Sequence, residues 1–330
     1  LKLRLFARLA AHTQLLPVLE SGEETLVGGQ AVMEGVMMRA PHSYCVAVRR
    51  KNGEVVTDRM PVPRMSEKYR IYRYPVLRGI GTLWQAMSLG VKALQFSANA
   101  ALQDEQAAAG EPPDAPKELP GWALALNLLL SFGFFFFVYK VVPLYVVSKL
   151  ETIYPELHGR VAFNLVDGIV RLLIFVAFMW AISRWKDIRR VFEFHGAEHK
   201  VVFNFESGKP VNVENAQRFV TWHPRCGTSF LIVVMLVSML AYMFIPFESF
   251  FGKIMSRLAL IPVIAGLSYE MIRFAAKHPG SLLAAMTAPG LWLQRITTQP
   301  PSDPQVEVAV LALDGAMQLE QEQGGSPAIA

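Results

Sequence analysis

The sequence predicts a mainly α-helical, polytopic membrane protein with about four transmembrane helices and a small N-terminal cytoplasmic region that contains a β-hairpin. Three observations carry this. Hydrophobic residues make up 52% of the 330-residue chain and charged ones only 18%, a balance on the membrane side of globular composition. Four apolar stretches are long enough to cross about 30 Å of hydrocarbon at about 1.5 Å per residue. Lysine and arginine are also spread unevenly among the segments between those stretches, as the positive-inside rule requires.

Residues 1–103 form the N-terminal region. Its start, residues 1–16, is basic and amphipathic (Lys2, Arg4, Arg8). It lacks the continuous apolar core of a secretory signal and reads as an interfacial helix. Residues 28–39 (GGQAVMEGVMMR) combine turn glycines with the polar Gln30, Glu34 and Arg39 in apolar surroundings. No lysine is present, so no phosphate loop is indicated; a tight turn packed on the membrane domain is the plainer use. Residues 44–50 and 54–60 are strand-like, and Asn52-Gly53 between them is a strong hairpin signal. A helix opens near Pro75, with Val76, Ile80, Leu83, Trp84, Met87, Val91 and Leu94 on one face, a stripe suited to core or membrane-surface packing.

Residues 104–120, rich in Ala, Pro and acidic side chains, read as a linker. Residues 121–183 hold the first two spans: 122–147, with Lys140, and 161–182, with Asp167 and Arg171. Residues 184–228 read as a cytoplasmic loop rich in His, Glu and Cys. Residues 229–276 hold the third span, 229–247, and the fourth, 258–276, in which Glu270 and Arg273 stand three apart and can pair. Ionisable groups in such a place are costly and often functional. Residues 277–330 read as interfacial and C-terminal helices: 281–296, broken at Pro289-Gly290, then an amphipathic helix from Asp303-Pro304 and a disordered end.

The segment between the second and third spans carries Arg184, Lys186, Arg189, Arg190, Lys200, Lys209, Arg218 and Arg225, whereas 148–160 and 248–257 carry two cations each. The basic segment and both termini are therefore expected in the cytoplasm. The net charge of +5 is too small and dispersed to indicate nucleic acid. The expected partners are the lipid bilayer and either another protein or further copies of the chain. Two distant cysteines, Cys45 and Cys226, argue for a reduced compartment over a disulfide framework.

The strongest chemical signal is His195-Gly196-Ala197-Glu198-His199. On a helix, residues four apart share a face, so both imidazoles reach one ion. Glu198 beside them is suited to act as general base for a water. The His-x-x-Glu-His pattern matches one class of zinc peptidase. His223 and Cys226 add an imidazole and a thiol, and Glu206 and Glu214 lie between the clusters. The candidate ligand set is His195, His199, His223 and Cys226 around a divalent metal, with zinc favoured by the donors. A bland alternative stands beside it: surface histidines that only hydrogen-bond and a cysteine that packs as a small apolar group.

Several runs together resemble the YqhQ-like family of bacterial membrane proteins: GGQAVMEGVMMR at 28–39, HGAEHK at 195–200, Glu214-Asn215, HPRCGTSF at 223–230, Tyr269-Glu270 with Arg273, and PGLWLQRITT at 289–298. The resemblance covers most of the chain from Gly28 onward. It implies a multi-pass bacterial inner-membrane protein, described as an uncharacterised domain with a suggestion of metal-dependent enzymes. Three functions follow as expectations: a zinc hydrolase at the cytoplasmic membrane surface, with Glu198 catalytic; a transporter or channel component whose metal is structural; or a membrane scaffold or assembly factor.

Overall fold

Alternation of period two along residues 36–48 builds the N-terminal layer. The computed structural model describes residues 27–63, 65–109, 121–223, 226–247, 249–278 and 281–323. Within it, β1 (Gly28–Val32), β2 (Gly35–Arg39), β3 (Ser43–Arg49) and β4 (Val55–Pro61) form an antiparallel sheet in the order β1-β2-β3-β4. The expected hairpin is β3–β4, turned at Gly53 with φ 90°. The 28–39 motif is a second hairpin, β1–β2, whose tight turn puts Glu34 at φ 54°. Val36, Met38 and Ala47 face one side of the sheet, and Met37, Tyr44, Val46 and Val48 the other. Both faces are covered, so the two central strands are buried along their length, with Arg39 and Arg49 half-buried at their ends.

One cover is α1 (Leu77–Ala108), which lays Leu89, Ala93 and Ala100 on the sheet. The apolar stripe expected to pack from this helix instead points away: Trp84 is 68% exposed and Met87 53%. Leu94 is exposed as well, whereas Val76, Ile80, Leu83 and Val91 of the same stripe are half-buried. Small residues win the buried face because they permit close approach. A Cβ at Gly79 would stand 2.7 Å from that of Tyr269. Because α1 continues to Ala108, the expected linker begins as helix; the rest of it, the N-terminal amphipathic stretch and the C-terminal end lie outside the described residues.

Among the described residues, two helices are long and apolar enough to cross a membrane: α2 (Gly121–Glu151), which contains a π-helical turn at Phe137–Val141, and α3 (Arg160–Ile182). Next comes α4 (Lys186–Glu206), then the short α5 (Val213–Gln217). The segment expected as a loop is thus largely helical, because Phe194, Ala197, Val201 and Val202 fall on one face and bury against the sheet. After it, α6 (Gly227–Tyr242) is apolar but only 16 residues long, about 24 Å. The bent pair α7 (Phe250–Ala259) and α8 (Ile261–Lys277) turns by 50° and qualifies as a third span if taken together. Among the described residues, two to three helices therefore meet the length and composition of a span, where four were expected.

The segment expected to break at Pro289 is one helix, α9 (Leu282–Thr297). Gly290 there lets it close on α6, since an added Cβ would meet Ser229 Oγ at 2.6 Å. The last helix, α10 (Asp303–Glu322), starts as expected, with a capping box between Ser302 and Gln305. With α4 it covers the second face of the sheet, burying Val306, Ala309, Ala312 and Leu313. Glu320 at its end accepts hydrogen bonds from His42 N at 2.8 Å and Ser43 Oγ at 2.9 Å, and its other oxygen lies 2.9 Å from His42 Nδ1.

Candidate metal centre

The helical phase of α4 that buries Phe194, Ala197 and Val201 also sets His195, Glu198 and His199 near one another. The imidazole rings of His195 and His199 are 4.5 Å apart. Cys226 is the N-cap of α6, its Sγ accepting from Thr228 N at 3.5 Å. The positive end of that helix complements an anionic donor. Cys226 Sγ lies 3.3 Å from His195 Nε2. Among the described residues, His195, His199 and Cys226 each offer a ligand atom, and these atoms lie within 4.8 Å of one another. Three of the four predicted metal ligands are thus brought together.

The imidazoles are held from behind. His195 Nδ1 is 2.9 Å from Thr297 O, and His199 Nδ1 meets Thr221 O. A carbonyl can only accept, so both rings carry their proton on Nδ1 and turn the Nε2 lone pair inward, the usual arrangement behind a metal-bound histidine. Burial, as the main cause, pushes His199 below the ordinary imidazole range, which favours the neutral ligand form.

The carbonyls are fixed in turn. Lys200 Nζ donates to Gln217 O at 2.8 Å and Phe219 O at 2.5 Å, steadying the chain that leads to Thr221. Gly196 lets the backbone of Gln299, next to Thr298 and Thr297, lie directly on α4: a Cβ there would overlap Gln299 O.

His223 stands beside the trio without joining it. Its ring is 5.7 Å from that of His199 and packs on Phe203, and its Nε2 is 3.3 Å from Glu206 Oε2. Burial pushes His223 down to about 4, despite the raising influence of Glu198. Its backbone is held at both ends by Gln294, which accepts from His223 N and donates to His223 O, each at 2.8 Å.

Glu198 is 6% exposed, and its Oε2 lies 3.4 Å from His199 Nε2, on the inward side of the ring. The other predicted residues fall into distinct places. Glu34 pairs with Arg190 of α4, at 2.6 Å for Nη2 to Oε2, and so fastens the β1–β2 turn to the helix carrying the histidines. Gln30 Nε2 donates to Ala86 O at 3.4 Å and Arg39 Nη2 to Gln85 Oε1 at 3.0 Å, both on α1. Glu214 sits exposed on the surface with Arg218. The Glu270 carboxylate receives Arg78 of α1, at 2.7 Å from Nε and 2.5 Å from Nη2, which ties α1 to α8. Arg273 lies one turn further along α8.

Sequence reasoning missed Gly29, Thr221, Gln294 and Thr297. Gly29 touches the site directly, for a Cβ there would be 2.7 Å from Glu198 Cγ. The run at 289–298 that marks the family resemblance contains Gln294 and Thr297, but their work is backbone pinning and has no spacing rule.

No solved structure matches the chain. The uncharacterized protein YqhQ of Bacillus subtilis (strain 168) is 34% identical over 310 residues, covering 91% of this chain and 95% of that protein. Residues 74–319 match the family described as "Protein of unknown function (DUF1385)", which takes in α1 to α9, most of α10 and every residue of the His-His-Cys group. The chain belongs to the DUF1385 family.

Proposed function

We propose that this protein is a zinc-dependent hydrolase of the bacterial inner membrane, working at the cytoplasmic surface. The observation that carries the reading is the paired Nδ1 anchoring, which leaves two Nε2 lone pairs and the Cys226 thiol converging within 4.8 Å. His195, His199 and Cys226 would hold the ion. Two imidazoles and a soft sulfur suit zinc and are a poor set for magnesium or calcium. Three protein donors leave a position for solvent or substrate, and zinc in such a site supplies Lewis acidity and water activation. Glu198 is the general base, accepting the proton of the attacking water and returning it to the leaving group. His223 and Glu206 support the site from beside His199.

Packing supports a cytoplasmic setting and four crossings. The sheet, α4 and α10 share one core, so the segments that lead into each must end on one side of the bilayer. An even number of crossings then separates them. Between the sheet and α4 lie α2 and α3; between α4 and α10, the bent α7–α8 pair needs a second crossing, which the short α6 supplies. The basic residues of 184–218 favour the cytoplasm for that side.

The test is Glu198→Gln, which keeps volume and hydrogen-bonding capacity and removes the proton acceptor. The purified variant is expected to retain its zinc and its melting temperature while failing to complement a deletion strain. Full complementation refutes the hydrolase. Loss of zinc together with function reassigns Glu198 as a ligand or a buttress of one.

A further inference from the structure

At the end of α6 opposite Cys226, four helices bury a second polar group that the metal chemistry does not use. It comprises Lys140 and Tyr139 of α2, Asp167 and Arg171 of α3, Ser238 and Tyr242 of α6, and Arg257 of α7. Arg171, Arg257 and Asp167 are 1%, 2% and 1% exposed. The charges do not balance. Among the described residues, three cations share one carboxylate, and both oxygens of Asp167 are taken, Oδ1 by Arg257 at 3.0 Å and Oδ2 by Arg171.

The remaining donors are served by neutral groups or by none. Arg171 Nη1 donates to Ser238 Oγ at 3.0 Å, Arg257 Nη2 to Asn164 at 3.2 Å, and Lys140 Nζ to Tyr242 OH at 2.7 Å. Among the described residues, Arg171 Nε and Tyr139 OH are buried with no hydrogen-bond partner. The cations also crowd two phenol rings: Arg171 and Arg257 lie 5.1 and 4.7 Å from the Tyr242 centroid, and Lys140 lies 5.5 Å from that of Tyr139. Ring faces attract cations but supply no counter-charge. Uncompensated charge at such depth is costly, and buried N–H and O–H groups are rarely left without an acceptor.

The backbone adds an independent observation. Tyr139 and Lys140 sit in the π-helical turn of α2. Such turns add a residue to the helix, cost stability, and recur at functional sites because they redirect side chains. Here the turn brings both side chains towards α6: Tyr139 packs on Phe175 in the cluster with Ile232 and Met235, and Lys140 reaches Tyr242.

We propose that this cluster binds a phosphate-type oxyanion. A multi-oxygen anion accepts from a guanidinium edge, a phenol and an ammonium at once, and planar arginine forks match its geometry. Its negative charge offsets the excess that Asp167 leaves. The same chemistry is offered by the phosphodiester of an anionic lipid headgroup and by free phosphate.

The experiment uses full-length protein, delipidated in neutral detergent, with melting temperature as the readout. Phosphatidylglycerol is titrated against diacylglycerol, and inorganic phosphate against sodium chloride at matched ionic strength. The variant is Lys140→Met, which removes one cation and leaves both arginine–aspartate pairs intact. The wild type is expected to melt higher in a saturable way with phosphatidylglycerol, with phosphate, or with both. The half-saturating concentration should rise about tenfold or more in the variant, as expected for one charge-assisted hydrogen bond. A response to phosphatidylglycerol alone assigns the anion to a lipid headgroup, and a response to phosphate assigns it to a free oxyanion. No saturable response to either, or an equal response in Lys140→Met, overturns the site. So does a variant that simply melts higher with no anion effect, which would show that Lys140 is an uncompensated burden and not a ligand.

Discussion

Replacing Gly29 with alanine tests whether the N-terminal motif is part of the metal site's architecture. Gly29 pairs with Met38 across β1–β2. A Cβ at Gly29 would lie 2.6 Å from Met37 O, 2.7 Å from Glu198 Cγ and 2.8 Å from Met38 Sδ, which is 0.6 to 0.8 Å inside the 3.4 Å where ordinary contact begins. The Met38 thioether can rotate away, but Met37 O is backbone within the ladder and Glu198 is packed on α4. Two effects oppose each other. Alanine restricts the unfolded chain more than glycine does, a gain of about 0.4–1 kcal/mol. Overpacking a closed site costs about 1–3 kcal/mol. The clash wins, for a net loss of roughly 0.5–2 kcal/mol on those figures, and relief of the clash moves the Glu198 carboxylate from its place by His199.

Gly28 supplies the control, since a Cβ there meets nothing within 4 Å. Gly28→Ala keeps the entropic gain without the collision and should melt at or slightly above the wild type. Both variants are measured by thermal unfolding in detergent and by complementation of a deletion strain. Gly29→Ala should melt lower than Gly28→Ala and complement poorly while retaining zinc. Equal melting temperatures with full complementation by both would refute the argument that the 28–39 motif shapes the site.

Three further outcomes are expected. His199→Ala should abolish zinc binding, whereas His223→Ala should keep the stoichiometry and weaken affinity about 10–100-fold, as removal of a supporting group does; equal metal loss in both, by elemental analysis, would make His223 a ligand. Burial alone would raise Glu320, yet the hydrogen bonds from His42 and Ser43 hold it below its ordinary 4.5. A depressed carboxyl stabilises the fold above its unfolded value and loses that contribution as pH falls through the folded one. Glu320→Gln should therefore cost about 1–3 kcal/mol at neutral pH and show a flatter melting profile below pH 4.5 than the wild type; parallel profiles would discount the pairing. Finally, a membrane-impermeant thiol reagent on intact cells should label a cysteine introduced at Glu156 and spare one at Lys209; the reverse pattern would invert the topology.

How much of this was legible depended on what each signal encodes. Asn52-Gly53 specifies its hairpin because the turn geometry demands left-handed backbone, and the last helix carries its own capping box and apolar spacing. The His195–His199 pair was legible because helical period alone brings the rings together. By contrast, β1 and β2 are five residues each and covered on both sides, so they show no polar alternation to read. The apolar stripe of α1 left core and membrane-surface packing open because apolar residues facing outward and inward look alike in sequence. Only the structure separates the exposed Trp84 face from the buried Gly79–Ala93 one. The choice among His223, Glu206 and Cys226 was equally closed to inspection, since it turns on where α6 and α9 set the backbone of residues 221–226.

The shared core of the sheet, α4 and α10 has a consequence for how the chain is made. Roughly 240 residues separate the end of β4 from the start of α10, so at about 5–20 residues per second the ribosome delivers the helix some 12–50 s after the strands. During that interval the face of the sheet bearing Val36, Met38 and Ala47 awaits α10, and on the proposed topology it waits while the intervening spans are inserted. On the proposed topology, completion of the core shared by the sheet, α4 and α10 reports that the intervening helices have been inserted with the right parity, because a missed crossing would leave α10 on the wrong side. Nascent chains stalled before residue 303 should hold the β2–β3 surface open to proteases and holdase chaperones, and release of α10 from the ribosome is the moment at which that exposure ends.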